Sequence, residues 1–164
     1  MRVGILGGTF NPVHKGHLHI AKHALKKIRL DKVIFVPCYI PPHKRILGKA
    51  TVRDRLRMLR LATAGERRFS VSSYEIRKRG TSYSIETLEY MRKRFGKRAE
   101  IFFIIGADSQ AGLNSWKDIS GILSIARFVV APRKGLKVGG CAIPAINLKI
   151  ANCDASSSRI RALA

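Results

Sequence analysis

The run Arg2-Val3-Gly4-Ile5-Leu6-Gly7-Gly8-Thr9-Phe10-Asn11-Pro12-Val13-His14-Lys15-Gly16-His17 decides how this chain folds. Val3–Leu6 is short and apolar, and it stops at Gly7-Gly8. A run of that length bounded by glycine reads as a buried strand closed by a tight turn. Residues 17–29 then place Leu18, Ala21, Leu25 and Ile28 at helical spacing, with Lys22, Lys26 and Lys27 outside. Strand, glycine turn and amphipathic helix together make the first half of a βαβ unit.

The pattern repeats outward from there. Val33–Val36 reads as a second buried strand, stopped by Pro37 and followed by a proline-rich loop through Pro41-Pro42. Thr51 and Asp54 have the spacing of a capping box for a helix to about Ala64. Phe69–Ile76 alternates enough to predict a strand, and Ser82 or Ser84 could cap a helix to about Phe95. Ile101–Ile105 is the most apolar strand of all. Asp118–Ile125 reads as a short helix, Phe128–Ala131 as a strand closed by Pro132, and residues 133–145 as a Gly-rich loop. Ile146–Leu148 reads as a last short strand, and Ser156–Leu163 as a serine-capped terminal helix.

Strands alternating with helices predict an α/β fold over residues 1–164 as a single domain. The expected architecture is Rossmann-like and doubly wound: a mostly parallel sheet with helices on both faces. Ligands of such sheets sit beyond the carboxyl ends of the strands, at the point where the strand order reverses. That directs attention to the residues just after Leu6, Val36, Ile105 and Ala131.

Composition bounds the rest. The chain has 164 residues, 46% of them hydrophobic, which excludes a disordered segment. Lys+Arg number 32 against 10 Asp+Glu, a net charge of +22 that suits anionic company. The dense stretches Arg53–Arg60, Arg77-Lys78-Arg79 and Arg92–Arg98 read as solvated faces of folded elements, not as a nucleic-acid arm. Cys38, Cys141 and Cys153 are odd in number and lack CxxC spacing, which argues against a disulfide framework and fits a reducing compartment. No apolar run approaches the roughly 20 residues of a membrane span. The expectation is a cytoplasmic protein without a membrane partner; a homo-oligomer is compatible with the sequence.

Gly7 and Gly8 let the backbone turn sharply and approach a ligand, and the segment ends at a helix N-terminus that favours an anion. It is neither a Walker loop nor a GxGxxG fingerprint. His14 and His17, three apart at that helix start, read as phosphate donors, as surface histidines or as two metal ligands lacking a third. Lys44 follows the prolines of a rigid loop. Asp108, just after the most apolar strand, could bind ribose hydroxyls or cap a helix. Trp116 could pack in the core. Ser156, Ser157 and Ser158 with Arg159 and Arg161 would make an anion site from a capped helix and its charges.

The run Gly7–Leu18, GGTFNPVHKGHL, resembles the signature of the HxGH nucleotidyltransferase superfamily. Within it, the chain resembles the bacterial nicotinate-nucleotide adenylyltransferases, whose pattern is GGTFDP(I/V)HxGHL. Asn11 stands where they usually carry aspartate; that aspartate is not usually assigned to the chemistry, so the change should be tolerated. Their PPHK matches Pro41-Pro42-His43-Lys44, and their SYTIDTL matches Ser82–Leu88, with Ser84 for Thr and Glu86 for Asp. Their GAD matches Gly106-Ala107-Asp108, and their ISSTxIR matches residues 155–161 with Ala155 and Ser158 exchanged.

The resemblance implies transfer of AMP from ATP to nicotinate mononucleotide, with Mg²⁺ arriving on ATP and no protein metal site. Under it His14, His17, Lys44 and Arg161 are catalytic. Gly7, Gly8, Thr9, Phe10, Asp108, Ser156 and Ser157 join His14, His17 and Arg161 around ATP. His43, Lys44, Ser84, Trp116 and Lys117 take the mononucleotide, with the Trp116 ring stacked on the pyridine. The rival readings are an acceptor of a sister enzyme, nicotinamide mononucleotide or phosphopantetheine, and a basic nucleic-acid-binding module. PPHK, the Ser82–Leu88 segment and Trp116 speak against phosphopantetheine. The low aromatic content, 7%, leaves no stacking platform for nucleic acid, so no specific nucleic-acid partner is expected.

Overall fold

The strand β1 (Arg2–Gly8) has a parallel neighbour on each side. The structure is a computed structural model, and it describes residues 1–43, 45–132, 143–150 and 157–162. After β1 come α1 (Lys15–Lys27), β2 (Lys32–Pro37), α2 (Val52–Thr63), β3 (Phe69–Val71), α3 (Tyr74–Lys78) and α4 (Ser84–Phe95). Then follow β4 (Glu100–Gly106), α5 (Ala107–Gln110), a 3₁₀ turn (Leu113–Ser115), α6 (Ile119–Ile125), β5 (Ala126–Ala131), β6 (Ala145–Asn147) and α7 (Ser157–Ala162).

The six strands run in the order β3-β2-β1-β4-β5-β6, and every described pairing is parallel. The order reverses between β1 and β4, so the expected doubly wound sheet is present, with its switch point there. The four central strands β2, β1, β4 and β5 bury both faces, which is why they read as continuous apolar runs rather than alternating ones. On one face Val3, Ile5, Ile101, Phe103 and Phe128 pack with Ile85, Leu88 and Met91 of α4 and Ile122 of α6. On the other, Phe35, Phe102, Ile104 and Val129 pack with Ala21, Ala24 and Leu25 of α1 and Leu59 of α2. Each large apolar side chain buried this way contributes about 1.5–3 kcal/mol, so these two clusters hold the layers together.

Several local expectations shift. The strand expected over Phe69–Ile76 ends at Val71. Its neighbour Ser72 still donates its N–H to the Phe35 carbonyl (2.9 Å), but the Ser72 hydroxyl then accepts from the Tyr74 N–H and turns the chain into α3. The N-cap of α4 is Tyr83, with no side-chain cap bond, so neither Ser82 nor Ser84 caps it. Asp108 is not the N-cap of α5 either: that position is Gly106, and Asp108 lies inside the helix. The Thr51–Asp54 box is present, with Thr51 Oγ1 accepting from the Asp54 N–H (3.2 Å) and Asp54 Oδ2 accepting from the Thr51 N–H (2.8 Å).

The basic stretches are not solvated throughout. Arg55 is completely buried. Arg92 is half-buried; its guanidinium donates to the carbonyls of Ala99 (2.6 Å) and Ile125 (2.7 Å), and so ties the end of α4 to the end of α6.

Gly4 shows how tightly β1 is enclosed. A Cβ there would lie 2.7 Å from Leu30 Cδ1 and 3.1 Å from Ile104 Cδ1. Gly4→Val forces a branched side chain into that packed layer. The expected outcome is a stability loss of about 1–3 kcal/mol, read as a lower urea midpoint at unchanged slope. A wild-type midpoint would show that the layer yields.

Candidate functional site

At the switch point the carboxyl ends of β1 and β4 open into a cleft of about 740 Å³. It is lined by Gly7, Gly8, Thr9, Asn11, His14, His17, His43, Ser84, Asp108, Trp116, Lys117, Ser157 and Arg161, among others. Nearly every expected site residue is therefore brought to one place from five separate stretches of sequence. Lys44 and Ser156 lie outside the described residues. The Phe10 side chain is a correction. It is 1% exposed, sits in the core of the α1 face, and does not line the cleft.

The two histidines are fixed by each other. His14 is the N-cap of α1, and its Nδ1 accepts from the Gly16 N–H at 3.2 Å. The His14 N–H donates to His17 Nδ1, also at 3.2 Å. Both rings thus use Nδ1 as an acceptor, which puts the proton of each neutral imidazole on Nε2. The ring centroids are 3.8 Å apart, and Phe10 meets His17 edge-on at 4.9 Å. A backbone at positive φ (46°) places the Phe10 ring there. Gly8 gives it room, since a Cβ on Gly8 would lie 3.2 Å from that ring. Two neighbouring N–H donors at a 13-residue helix N-terminus suit two oxygens of one anionic group.

α7 closes one side of the cleft. Ser157 Oγ donates to the Pro12 carbonyl (2.8 Å), and Arg161 Nη1 donates to the Asn11 carbonyl. The Asn11 side chain, itself buried, donates to the carbonyl of Leu47. Here Asn does what the aspartate usual at this position in the resembled family cannot: its amide supplies a donor and ties the loop 39–50 to the turn after β1.

On the opposite side, Trp116 stands edge-on to Phe103 (6.0 Å) and Phe128 (6.3 Å), half-buried. The core anchors the indole, and the cleft receives it, so the two readings of Trp116 hold together. Lys117 Nζ lies 4.2 Å from the Tyr83 ring centroid and 3.4 Å from Glu86. Glu86 also pairs with Lys78 at 2.6 Å, and the Lys78 hydrogen bond holds the Glu86 carboxyl below its ordinary value.

Sequence reasoning missed two residues of this region. Glu75, 7% exposed, lines the cleft and accepts from Thr87 Oγ1 at 2.5 Å. Burial pushes its carboxyl above the ordinary 4.5, against the pull of the Thr87 and Ser82 hydroxyls. Arg55 shares the inner stripe of α2 with Leu59, four residues on. That spacing was the signal available for it. Burial also raises the Cys38 thiol to about 11, the direction that favours the neutral thiol. Among the described residues no cluster of His, Cys, Asp and Glu could hold a metal ion, and no helix is long and apolar enough to cross a membrane.

Comparison with known proteins agrees with this geometry. The family model for cytidylyltransferase-like proteins matches residues 5–163. A relative from Syntrophotalea carbinolica, named a probable nicotinate-nucleotide adenylyltransferase, is 44% identical over 82% of this chain and 62% of its own. One from Clostridium novyi with the same name is 45% identical over 80% of this chain and 66% of its own. The chain therefore spans just under two thirds of the length of these curated relatives. Among solved structures, Plasmodium falciparum nicotinic acid mononucleotide adenylyltransferase complexed with NaAD superposes with a TM-score of 0.75. It covers 98% of this chain and 82% of that one at 15% identity, which is likeness of fold.

The raised Glu75 value has a sign that can be checked. The folded chain favours the neutral carboxyl, so its contribution to stability is full below about 4.5 and is lost as pH rises through the raised value. Unfolding free energies of wild type and Glu75→Gln, measured from about pH 4 to about pH 8, should diverge. The wild type should lose ground to the variant as pH rises. A difference independent of pH contradicts the assignment.

Proposed function

The chain belongs to the cytidylyltransferase-like family, and from that premise we propose that it is an adenylyltransferase acting on nicotinate mononucleotide. The observation that carries the reading is the pair His14 and His17, each held through Nδ1 by a backbone N–H, that of Gly16 and that of His14, at the start of α1 beside Gly7-Gly8. The names of the relatives support the acceptor.

In this reaction a phosphate oxygen of the mononucleotide attacks the α-phosphorus of ATP in line. The new P–O bond forms as the bond to the bridging oxygen of the β-phosphate breaks, and that electron pair leaves with pyrophosphate. The substrate supplies its own nucleophile, so the protein positions the phosphates and stabilises charge. His14 and His17 donate through Nε2 to the phosphate oxygens. Arg161, from α7, and Lys44 neutralise the leaving pyrophosphate. Asp108, at the end of β4, takes the ribose hydroxyls. Trp116 stacks on the pyridine ring, with Ser84 and Lys117 flanking it.

Mg²⁺ belongs to this reading as a companion of ATP. Histidine and arginine donors suit phosphate oxygens better than a hard cation, and magnesium is commonly held through substrate phosphates and water. When bound it screens the charge of the triphosphate. The reading also places the enzyme in the cytoplasm.

The test is pyrophosphate release from ATP with nicotinate mononucleotide, nicotinamide mononucleotide and phosphopantetheine offered in turn. Nicotinate mononucleotide should give the highest kcat/KM; release with another acceptor alone would reassign the substrate. His17→Ala should lower turnover at least about 100-fold with the fold intact, the scale of losing one preorganised donor. Near-normal turnover removes His17 from the chemistry. Trp116→Ala should raise KM for the mononucleotide and spare that for ATP, and equal effects on both would take Trp116 out of the pyridine pocket.

A further inference from the structure

Among the described residues the charged side chains buried outright are Arg55 and Glu75, and neither has a step in the reaction above. Both converge on one place, the exit of β2 at Cys38-Tyr39. Arg55 Nη1 donates to the carbonyls of Thr9 (2.7 Å) and Cys38 (2.8 Å), and Nη2 reaches that of Tyr39 (3.5 Å). From the other side the Tyr39 N–H donates to Ser82 Oγ (2.9 Å), while the Glu75 carboxyl nearby accepts from Thr87 Oγ1 (2.5 Å). The Ser82 N–H donates to the Ile40 carbonyl at 2.8 Å, so the loop root is held on both edges. The Cys38 thiol lies within the field of both charges.

A buried guanidinium bonded only to carbonyls is costly, and an apolar side chain beside Leu59 would fill the same stripe without desolvating a charge. What arginine adds is geometry. Its planar fork ties the turn after β1, at Thr9, to the root of the loop 39–50, at Cys38 and Tyr39. That loop carries Pro41-Pro42-His43, which line the cleft.

Resting on the proposed adenylyl transfer, we infer that Arg55, facing Ser82 across the loop root, is a positioning residue that fixes where the Pro41-Pro42-His43 wall stands against the mononucleotide. It touches no reacting atom. It acts by holding two loop roots at a set distance.

Two readouts test it on the full chain, with Arg55→Met and Ser82→Ala. Ser82→Ala leaves the Arg55 bonds in place and removes only the acceptor of the Tyr39 N–H, so it tests the opposite edge; Arg55→Lys, which keeps the charge but not the planar fork, decides the matter if Arg55→Met fails to fold. The first readout needs no activity: native-state trypsin cleavage after Arg45 or Lys49, mapped by mass spectrometry. Loosening the loop root should speed these cuts about 5-fold, the equivalent of about 1 kcal/mol of local opening, with cuts elsewhere unchanged. The second is steady-state pyrophosphate release. The KM for the mononucleotide should rise about 10-fold while that for ATP stays within about 3-fold, and Arg55→Lys should recover part of the loss, since displacements of about 1 Å carry effects on this scale. Unchanged loop cleavage in the folded Arg55 variants, or a KM for ATP that rises in step, overturns the inference. If the wild type releases no pyrophosphate with any acceptor, the proposed function falls while the cleavage readout still judges the clamp.

Discussion

The central strand β1 is hydrogen-bonded in parallel on both sides, to β2 from Val3 to Gly8 and to β4 from Arg2 to Leu6. Everything at the site depends on that double pairing. A strand between two parallel neighbours cannot shift along its axis without breaking both ladders, so the level of Gly7-Gly8 is fixed. The chain leaves β1 for α1 on one face, while α4 leads into β4 on the other. The crevice between these crossovers cannot be filled by either, and it opens where the first turn of α1 points its N–H groups. The two histidines inherit their position from this. His14 caps α1 because the chain must turn there, and His17 is one turn later on the same side.

The fold was legible because a parallel sheet covered on both faces leaves a plain signature: Val3–Leu6, Val33–Val36, Ile101–Ile105 and Phe128–Ala131 are apolar without alternation. The motif residues were legible as short clusters at strand ends, and the cleft lining contains nearly all of them. Three kinds of feature were not. Phe10 sits inside a motif yet serves it from the core, because only the backbone angle at that residue, invisible in sequence, sends its ring under His17. Ser82 and Ser84 matched a cap by type, but capping depends on where the helix starts, and Tyr39 claimed the Ser82 oxygen instead. Arg55 and Glu75 were hidden by their charge, since composition assigns such residues to solvent and only three-dimensional packing shows otherwise.

That last failure bears on the net charge of +22. Read as a field, it suits anionic nucleotides and raises the local concentration of any polyanion. Read residue by residue, several of the cations serve the backbone. The Arg2 guanidinium donates to the Ile28 carbonyl and pairs with Glu100 while lying 4.7 Å over the Phe102 ring. Arg92 collects carbonyls at the end of α4, and Arg55 collects them at the ends of β1 and β2. Each replaces a turn or a cap that a different sequence would make with glycine or serine. Guanidinium suits this because it offers five donors in one plane and stays charged at any physiological pH. Part of the surplus is therefore structural: Arg2 and Arg92 stitch helix ends to the amino ends of the strands, away from the cleft, and Arg55 joins the carboxyl ends of β1 and β2. Of the anion-facing cations proposed here, Arg161 belongs to the same pattern, because its guanidinium holds the Asn11 carbonyl at the mouth of the site. A group that anchors the signature turn while presenting positive charge to the cleft couples the shape of that turn to whatever anion fills it.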